Sequence, residues 1–146
     1  MEKKIKIQRA KEKEAVKICA LGRKTKDLAA SEKAKFHRKK DIEEWIRKPK
    51  DNIVLVVFDG RKFIGFLLAK IMSSQWSVID SVVLDQSYRG QGIGTLILDK
   101  LFNILEKKRI YYAQAFVGTE NIKGRKFWQE QRFKQGKKFI WVEKNL

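Results

Sequence analysis

Residues 82–94 read VVLDQSYRGQGIG, and the rest of the sequence can be organised around them. Gly90, Gly92 and Gly94 follow an apolar run and precede apolar residues at helical spacing. Glycines leave backbone N–H groups open to a ligand, and the start of a helix carries partial positive charge. Arg89 adds a cation beside them. The stretch therefore predicts a strand, an anion-binding turn and a helix, in that order.

Two common phosphate-binding motifs do not fit this turn. A P-loop needs Gly-Lys-Ser/Thr after its spacer, whereas Gly94 is followed by Thr95 with no lysine. A dinucleotide fingerprint needs G-x-G-x-x-G in the first strand-helix-strand unit, but here the third glycine comes one residue early and three predicted strands precede it. A simple tight connection between strand and helix stays open, although three glycines and an arginine exceed what such a turn needs.

Strands and helices are predicted on both sides of the turn. Asp59-Gly60 marks a tight hairpin between two apolar runs, and Gly22 is placed as the stop of the first helix. Strands are predicted at 5–7, 52–58, 63–71, 76–84, 110–117 and 139–142, and helices at 11–21, from 31 to 48, 93–105 and 121–131. Three meandering strands and a strand-helix-strand crossover predict an α/β (α+β) fold, with a mixed, mostly antiparallel central sheet flanked by helices.

Length and composition limit which classes of protein are possible. A chain of 146 residues with 43% hydrophobic residues fits one domain over residues 1–146. No run approaches the roughly 20 apolar residues that span a bilayer, and residues 1–10 lack a signal-peptide core, so we expect a cytoplasmic protein with no membrane partner. The single cysteine, Cys19, lies on the apolar face of the first helix and is expected to be a buried thiol.

The chain is strongly basic, with a net charge of +17 and a pI near 10.1. Such a charge attracts nucleic acid or other anionic ligands, but the basic residues are spread along the chain, as on a solvated lysine-rich surface. His37, the only histidine, lies in a basic stretch and is expected at the surface. With one histidine and one cysteine, the sequence offers no metal site to argue for.

The turn and its surroundings resemble the acetyl-CoA-binding motif of the GNAT superfamily of N-acetyltransferases. That motif reads R/Q-x-x-G-x-G/A, and Arg89, Gly92 and Gly94 satisfy it. Residues 52–68 are similar to the family's second and third strands, and residues 121–133 to its fourth helix, so the resemblance covers essentially the whole chain. It implies a GNAT-like acyl-CoA N-acyltransferase fold and direct transfer of an acetyl group from acetyl-CoA to a primary amine, on a small molecule or a protein.

The resemblance also implies which residues bind the acyl donor, acetyl-CoA. Backbone groups around Val82 and Leu84 would pair with the pantetheine arm, and Asn121 would contact the donor from the neighbouring helix. The pyrophosphate would be held by the turn and the residues beside it, namely Arg89, Gly90, Gln91, Gly92, Ile93, Gly94 and Thr95.

Period-two alternation predicts that Val78, Asp80, Val82 and Leu84 share one face of a strand. An acidic residue among apolar neighbours is costly to bury without a partner or a task, so Asp80 is the candidate general base. A structural hydrogen-bonding role for Asp80 stays open as an alternative.

The general acid departs from the family pattern. Many members have a tyrosine seven residues after the helix asparagine, where this chain has Trp128, and an indole N–H is not a usable acid at neutral pH. Tyr88, Tyr111, Tyr112 or solvent are the alternatives.

The acceptor is not identified by the sequence. Asp41, Glu43 and Glu44 would attract a cationic amine, whereas the surrounding lysines would favour an anionic one, unless these charges simply belong to a solvated helix face. The leading hypothesis is an active N-acetyltransferase, and the alternatives are an acyl-CoA-binding protein of the same fold without catalysis or a basic nucleic-acid-binding module. A homodimer is left open.

Overall fold

The computed structural model describes residues 2–146, in which five strands form one sheet in the order β1-β2-β3-β4-β5. The first four strands are antiparallel, and β5 runs parallel to β4. The strands are β1 (Ile5–Arg9), β2 (Asn52–Asp59), β3 (Lys62–Ser73), β4 (Trp76–Leu84) and β5 (Ala113–Ala115). The helices are α1 (Ala15–Lys24), α2 (Lys39–Arg47), α3 (Ile93–Lys107) and α4 (Ile122–Glu130). The predicted mixed sheet with flanking helices is confirmed.

Helices cover both faces of the sheet. The core on one face contains residues of α1 and α2, with Ile18 and Ile42 packed against Phe66. The core on the other face contains α3, with Ile97 and Leu101, and partly buried residues of α4 pack against it. β2 contributes alternate residues to both cores, which explains its continuous apolar sequence.

A β-bulge in β4 positions the candidate site. Ser81 pairs with Leu68 of β3 and Ile79 with Ala69, so Asp80 is the extra residue between two paired positions. The bulge reverses the alternation, and the prediction that Val78, Asp80, Val82 and Leu84 share one face is therefore wrong. Val82 and Leu84 pack against the α3 core, whereas the Asp80 side chain contacts the segment that precedes α2.

The predicted last strand, 139–142, is not formed within residues 2–146. Phe139 and Ile140 are 77% and 85% exposed, and no strand pairs with them in the described part of the chain. Four consecutive apolar residues give strand propensity, but a strand also requires the backbone of a partner. The predicted strand 110–117 is shortened for the same reason, since only Ala113–Ala115 pairs with β4.

The segment between α1 and α2 also differs from the prediction. Gly22 lies inside α1, where it allows the Phe36 ring to approach, because a Cβ there would lie 2.5 Å from that ring. The second helix begins at Lys39 and not near Ser31, whose Oγ accepts hydrogen bonds from the N–H groups of Lys33 and Ala34 in a local turn that does not continue as a helix. The residues between the two helices are thereby free to pack beside β4.

Two further expectations concern burial and membranes. Cys19 is buried, as predicted, and burial raises the pKa of its thiol. In residues 2–146, none of the helices has both the length and the apolar character needed to cross a membrane.

Candidate functional site

The predicted anion-binding turn has an open backbone. Gly90 and Gly92 have φ angles of 73° and 82°, which side chains rarely tolerate, and a Cβ at either position would meet no atom within 4 Å. Gly92 is the N-cap residue of α3, and no side chain caps this helix. Because a helix leaves its first four N–H groups without intrahelical partners, the turn presents free donors to an anion.

Side-chain hydrogen bonds hold the turn in place. Asp85 accepts from the Oγ and the N–H of Ser87, at 2.8 and 3.1 Å, which lowers the pKa of Asp85. Tyr88 donates its OH to Oδ2 of Asp59 at 2.7 Å and ties the turn to the β2–β3 hairpin. Gln91 donates from Nε2 to the carbonyl of Ser87 at 3.2 Å, so it is the Gln91 backbone that remains for a ligand.

The first residues of α3 pack against the core and α4. Ile93 is buried, and a Cβ on Gly94 would lie 2.7 Å from Cε1 of Phe127. Oγ1 of Thr95 accepts from Nε2 of Gln131 at 2.8 Å. Gly94 therefore allows α4 to approach α3, and the backbone N–H groups of these residues are offered to a ligand.

β4 and β5 separate close to this turn. β5 pairs with β4 only from Ser77 to Ile79, so the β5-facing edge of residues 80–84 has no strand partner within residues 2–146. Val82 and Leu84 lie in this stretch, and Nε of Arg89 donates to the carbonyl of Leu84 at 3.0 Å. An extended ligand arm can add to such an edge as a further strand.

His37 and Asp80 form a pair at the point where the two strands separate. Nε2 of His37 lies 2.9 Å from Oδ2 of Asp80, and the side chains are 31% and 36% exposed. His37 is thus half-buried and not the plain surface residue that was predicted. Oδ2 of Asp80 also accepts from Oγ of Ser81 at 3.2 Å. No sequence signal connects residues 37 and 80, because the folded segment before α2 alone brings them together.

Asn121 lies at the start of α4 and has a capping role. Its Oδ1 accepts a hydrogen bond from the N–H of Gly124 at 2.9 Å, which makes it the N-cap residue of the helix. The capping bond engages the oxygen of the amide, so any contact to a ligand would come from Nδ2.

The aromatic candidates for the general acid are placed unfavourably. Trp128 packs edge-to-face against Phe127 and Phe133, with ring centroids 5.2 and 4.8 Å apart. The OH of Tyr88 is bonded to Asp59, and this bond raises the pKa of Tyr88. Tyr111 and Tyr112 directly precede β5, at the end of the sheet away from the turn, where the carbonyl of Tyr112 accepts from Ser77.

Two of the three acidic candidates on α2 are paired with basic residues. Asp41 accepts from Nε of Arg38 at 2.9 Å, and Glu44 accepts from Nζ of Lys48 at 2.7 Å. These hydrogen bonds lower the pKa of both carboxyl groups. The local pairs favour the interpretation of Asp41 and Glu44 as solvated helix residues.

Comparisons with solved structures find the same fold. The chain superimposes on an aminoglycoside acetyltransferase from an uncultured soil metagenomic sample, in complex with sisomicin, with a TM-score of 0.77 and 15% identity over 97% of this chain and 96% of that chain. AAC(6')-Iy in complex with the bisubstrate analog CoA-S-monomethyl-acetylneamine gives a TM-score of 0.79 and 14% identity, over 98% of this chain and 99% of that chain. PaiA N-acetyltransferase from Thermoplasma acidophilum, in complex with coenzyme A, gives a TM-score of 0.69 and 20% identity over 88% of each chain.

Sequence comparison identifies the family. A search of curated protein sequences gives no significant match. The model of the acetyltransferase (GNAT) family matches residues 21–133, which is more than half of the chain and includes the turn, β4 and α4. The resemblance stated from the motif is thereby confirmed, and the chain belongs to the GNAT acetyltransferase family.

Proposed function

We propose that this protein is an N-acetyltransferase that moves an acetyl group from acetyl-CoA directly to a primary amine. The open glycine turn at the start of α3 carries this proposal. It combines left-handed glycines at Gly90 and Gly92, free helix N–H groups and an adjacent arginine, which suit a pyrophosphate. The proposal treats residues 1–146 as one acetyltransferase domain.

The donor would lie between the turn and the separated strands. N–H groups from Gly90 to Thr95 would bind the pyrophosphate, and Arg89 would supply positive charge beside it. The pantetheine arm would pair with the backbone of Val82 and Leu84, which lie on the stretch of β4 that β5 leaves unpaired. Asn121 would reach the donor with its Nδ2. Acetyl-CoA supplies the acetyl group as a reactive thioester, and the chain supplies the binding and the orientation.

The acceptor amine would bind beside the pair formed by Asp80 and His37. The bulge turns this carboxylate towards the segment before α2, next to the point where β4 and β5 separate. A carboxylate there attracts the ammonium form of an amine and holds it near the donor, which lowers the entropic barrier to transfer. Since neither Trp128 nor Tyr88 offers a free acidic proton near the turn, we propose that solvent protonates the departing thiolate.

The solved structures support a donor of this kind. Two of the similar proteins were crystallised with coenzyme A or with an analog that contains it. The acceptor substrates of those proteins are not assigned to this chain. For this chain we propose a primary amine on a small molecule or a protein.

Two measurements test the proposal in turn. Calorimetric titration with acetyl-CoA should show saturable binding, and no heat of binding at millimolar acetyl-CoA would refute the proposal. Thiol release should then be followed over a panel of polyamines, aminoglycosides and peptide amines. Release that depends on one class of amine supports the enzyme, whereas binding with no release above the hydrolysis background for any amine indicates a protein that binds acyl-CoA without catalysis.

A further inference from the structure

We propose that His37, oriented by Asp80, is the general base that takes the proton from the acceptor amine. This inference rests on the proposed function and assigns the base at that same site. The sequence predicted the Asp80 carboxylate as the general base. The fold places the His37 imidazole against that carboxylate, and the role of base is assigned to the imidazole instead.

The hydrogen bond between the two side chains fixes the tautomer of the ring. Asp80 as a carboxylate can only accept, so Nε2 of His37 must donate across the 2.9 Å contact. A neutral imidazole that carries its hydrogen on Nε2 has its lone pair on Nδ1. None of the described residues bonds to Nδ1, and no side-chain nitrogen or oxygen in residues 2–146 is buried without a partner, so Nδ1 is open to solvent. The ring therefore presents a free proton acceptor at the site.

The ring is held before any substrate arrives. Its centroid lies 5.1 Å from that of Phe36 and 4.8 Å from that of Trp45. The carbonyl of His37 accepts from Sγ of Cys19 in α1 at 3.5 Å, and Asp80 is itself held by Ser81. A base fixed by packing and hydrogen bonds loses little entropy when the amine binds.

An imidazole suits this proton transfer better than a carboxylate. A neutral imidazole is intrinsically more basic than a carboxylate, and histidine is the side chain most often used as a general base near neutral pH. The amine N–H bond breaks as Nδ1–H forms, and the positive charge moves from the ammonium to the imidazolium, which Asp80 stabilises. The freed lone pair then forms the N–C bond to the acetyl carbon. The C–S bond breaks with its electrons on sulfur and solvent protonates the thiolate, while the imidazolium and the newly acetylated nitrogen each lose a proton to water.

Among the described residues, Asp80 of β4 is the only charged side chain that bonds to the His37 ring. On the α1 side, the buried thiol of Cys19 donates to the His37 carbonyl, and Arg23 and Glu43 lie close enough to Cys19 to act on its pKa. Arg38 beside His37 is paired with Asp41 of α2. Lys70 of β3 lies over the Trp45 ring at 4.4 Å.

The test uses two variants of the site and one control, all in the full chain without a histidine tag. His37→Gln keeps an N–H donor for Asp80 but removes the base, and Asp80→Asn removes the orienting charge. Glu44→Gln is the matched control, because it neutralises a carboxylate on α2 that pairs with Lys48. Three quantities are compared, namely the acetyl-CoA dissociation constant, the thermal midpoint, and kcat between about pH 5 and pH 10.

For the wild type, kcat should fall as the pH is lowered, because protonation of the base removes the acceptor for the amine proton. His37→Gln should lose about 10²–10⁴-fold in kcat near neutral pH, with the loss shrinking at high pH as the amine deprotonates by itself. Its acetyl-CoA affinity should stay within about twofold, because this residue does not touch the donor turn. Because His37 is the only histidine, its single imidazole NMR signal should titrate with the same midpoint as kcat. Asp80→Asn should move both midpoints together towards lower pH.

Three results would overturn the assignment. A His37→Gln variant with the wild-type kcat and pH profile would give His37 a structural role only. If Asp80→Asn were inactive while His37→Gln stayed active, Asp80 itself would be the base. An NMR midpoint that differs from the kinetic one by more than about one pH unit would separate the ring from the titrating group. Failure of the wild type to bind acetyl-CoA or to release thiol with any amine would instead refute the proposed function, and the base with it.

Discussion

Replacement of Gly92 by leucine should abolish acetyl-CoA binding at a modest cost in stability. The φ angle of 82° places a leucine in the left-handed region, which costs about 1–2 kcal/mol. A Cβ there meets no atom within 4 Å, so the Cβ itself adds no clash. With about 2–4 °C per kcal/mol for a chain of this size, the thermal midpoint should fall by roughly 2–8 °C. The side chain would occupy the space in front of the free N–H groups, and calorimetry should detect no binding.

Gly60 provides the matched control for this substitution. It has a φ of 61°, and a Cβ there also meets no atom within 4 Å, but it lies in the β2–β3 hairpin. Gly60→Leu should therefore lose similar stability and keep its acetyl-CoA affinity within about threefold, a difference of less than 1 kcal/mol. Normal binding by Gly92→Leu would refute the pyrophosphate assignment. If both variants lost acetyl-CoA binding, the loss would result from backbone strain in general and not from a change at the turn.

Three further predictions concern packing and charge around the turn. Gly94→Ala should destabilise the protein by about 1–3 kcal/mol in urea unfolding, because its Cβ would lie 2.7 Å from the Phe127 ring, and Phe127→Leu in the same chain should recover part of the loss. Tyr88→Phe removes the hydrogen bond that lowers the pKa of Asp59, so it should destabilise the protein at pH 7. The destabilisation should shrink as the pH falls through the lowered pKa of folded Asp59, which lies below the ordinary aspartate value of about 3.9, and a loss that keeps its pH 7 size down to about pH 2 would contradict this account. Trp128→Phe should keep kcat within about twofold, since the ring packs and donates no proton, and a drop of tenfold or more would show that the indole N–H takes part.

The sequence predicted the regular parts of the fold because their signals are local. Continuous apolar runs on either side of Asp59-Gly60 predict β2 and β3, and helical spacing after Gly94 predicts α3. Each of these elements is long enough for its pattern to dominate its surroundings. The glycine turn was predicted for the same reason, since its conformation follows from residues that are adjacent in sequence.

The errors arise where a distant partner decides the conformation. Residues 139–142 have the composition of a strand but no partner strand within residues 2–146. Gly22 has the pattern of a helix stop, yet the Phe36 ring packs against it inside α1. The alternation in β4 fails at Asp80 because one extra residue is accommodated as a bulge against β3. Periodicity cannot reveal a bulge, since the residue that fills it looks like any other position in the strand.

By itself the sequence determined the family, the order of most elements and the turn at Arg89 to Gly94, because a turn that opens a helix depends on residues within one short segment. Only the tertiary structure decided that β4 separates from β5 beyond Ile79, and that His37 meets Asp80 at that point. These two residues are 43 positions apart, and they are brought together by the packing of α1 and α2 on the sheet, which involves many residues that no local pattern connects.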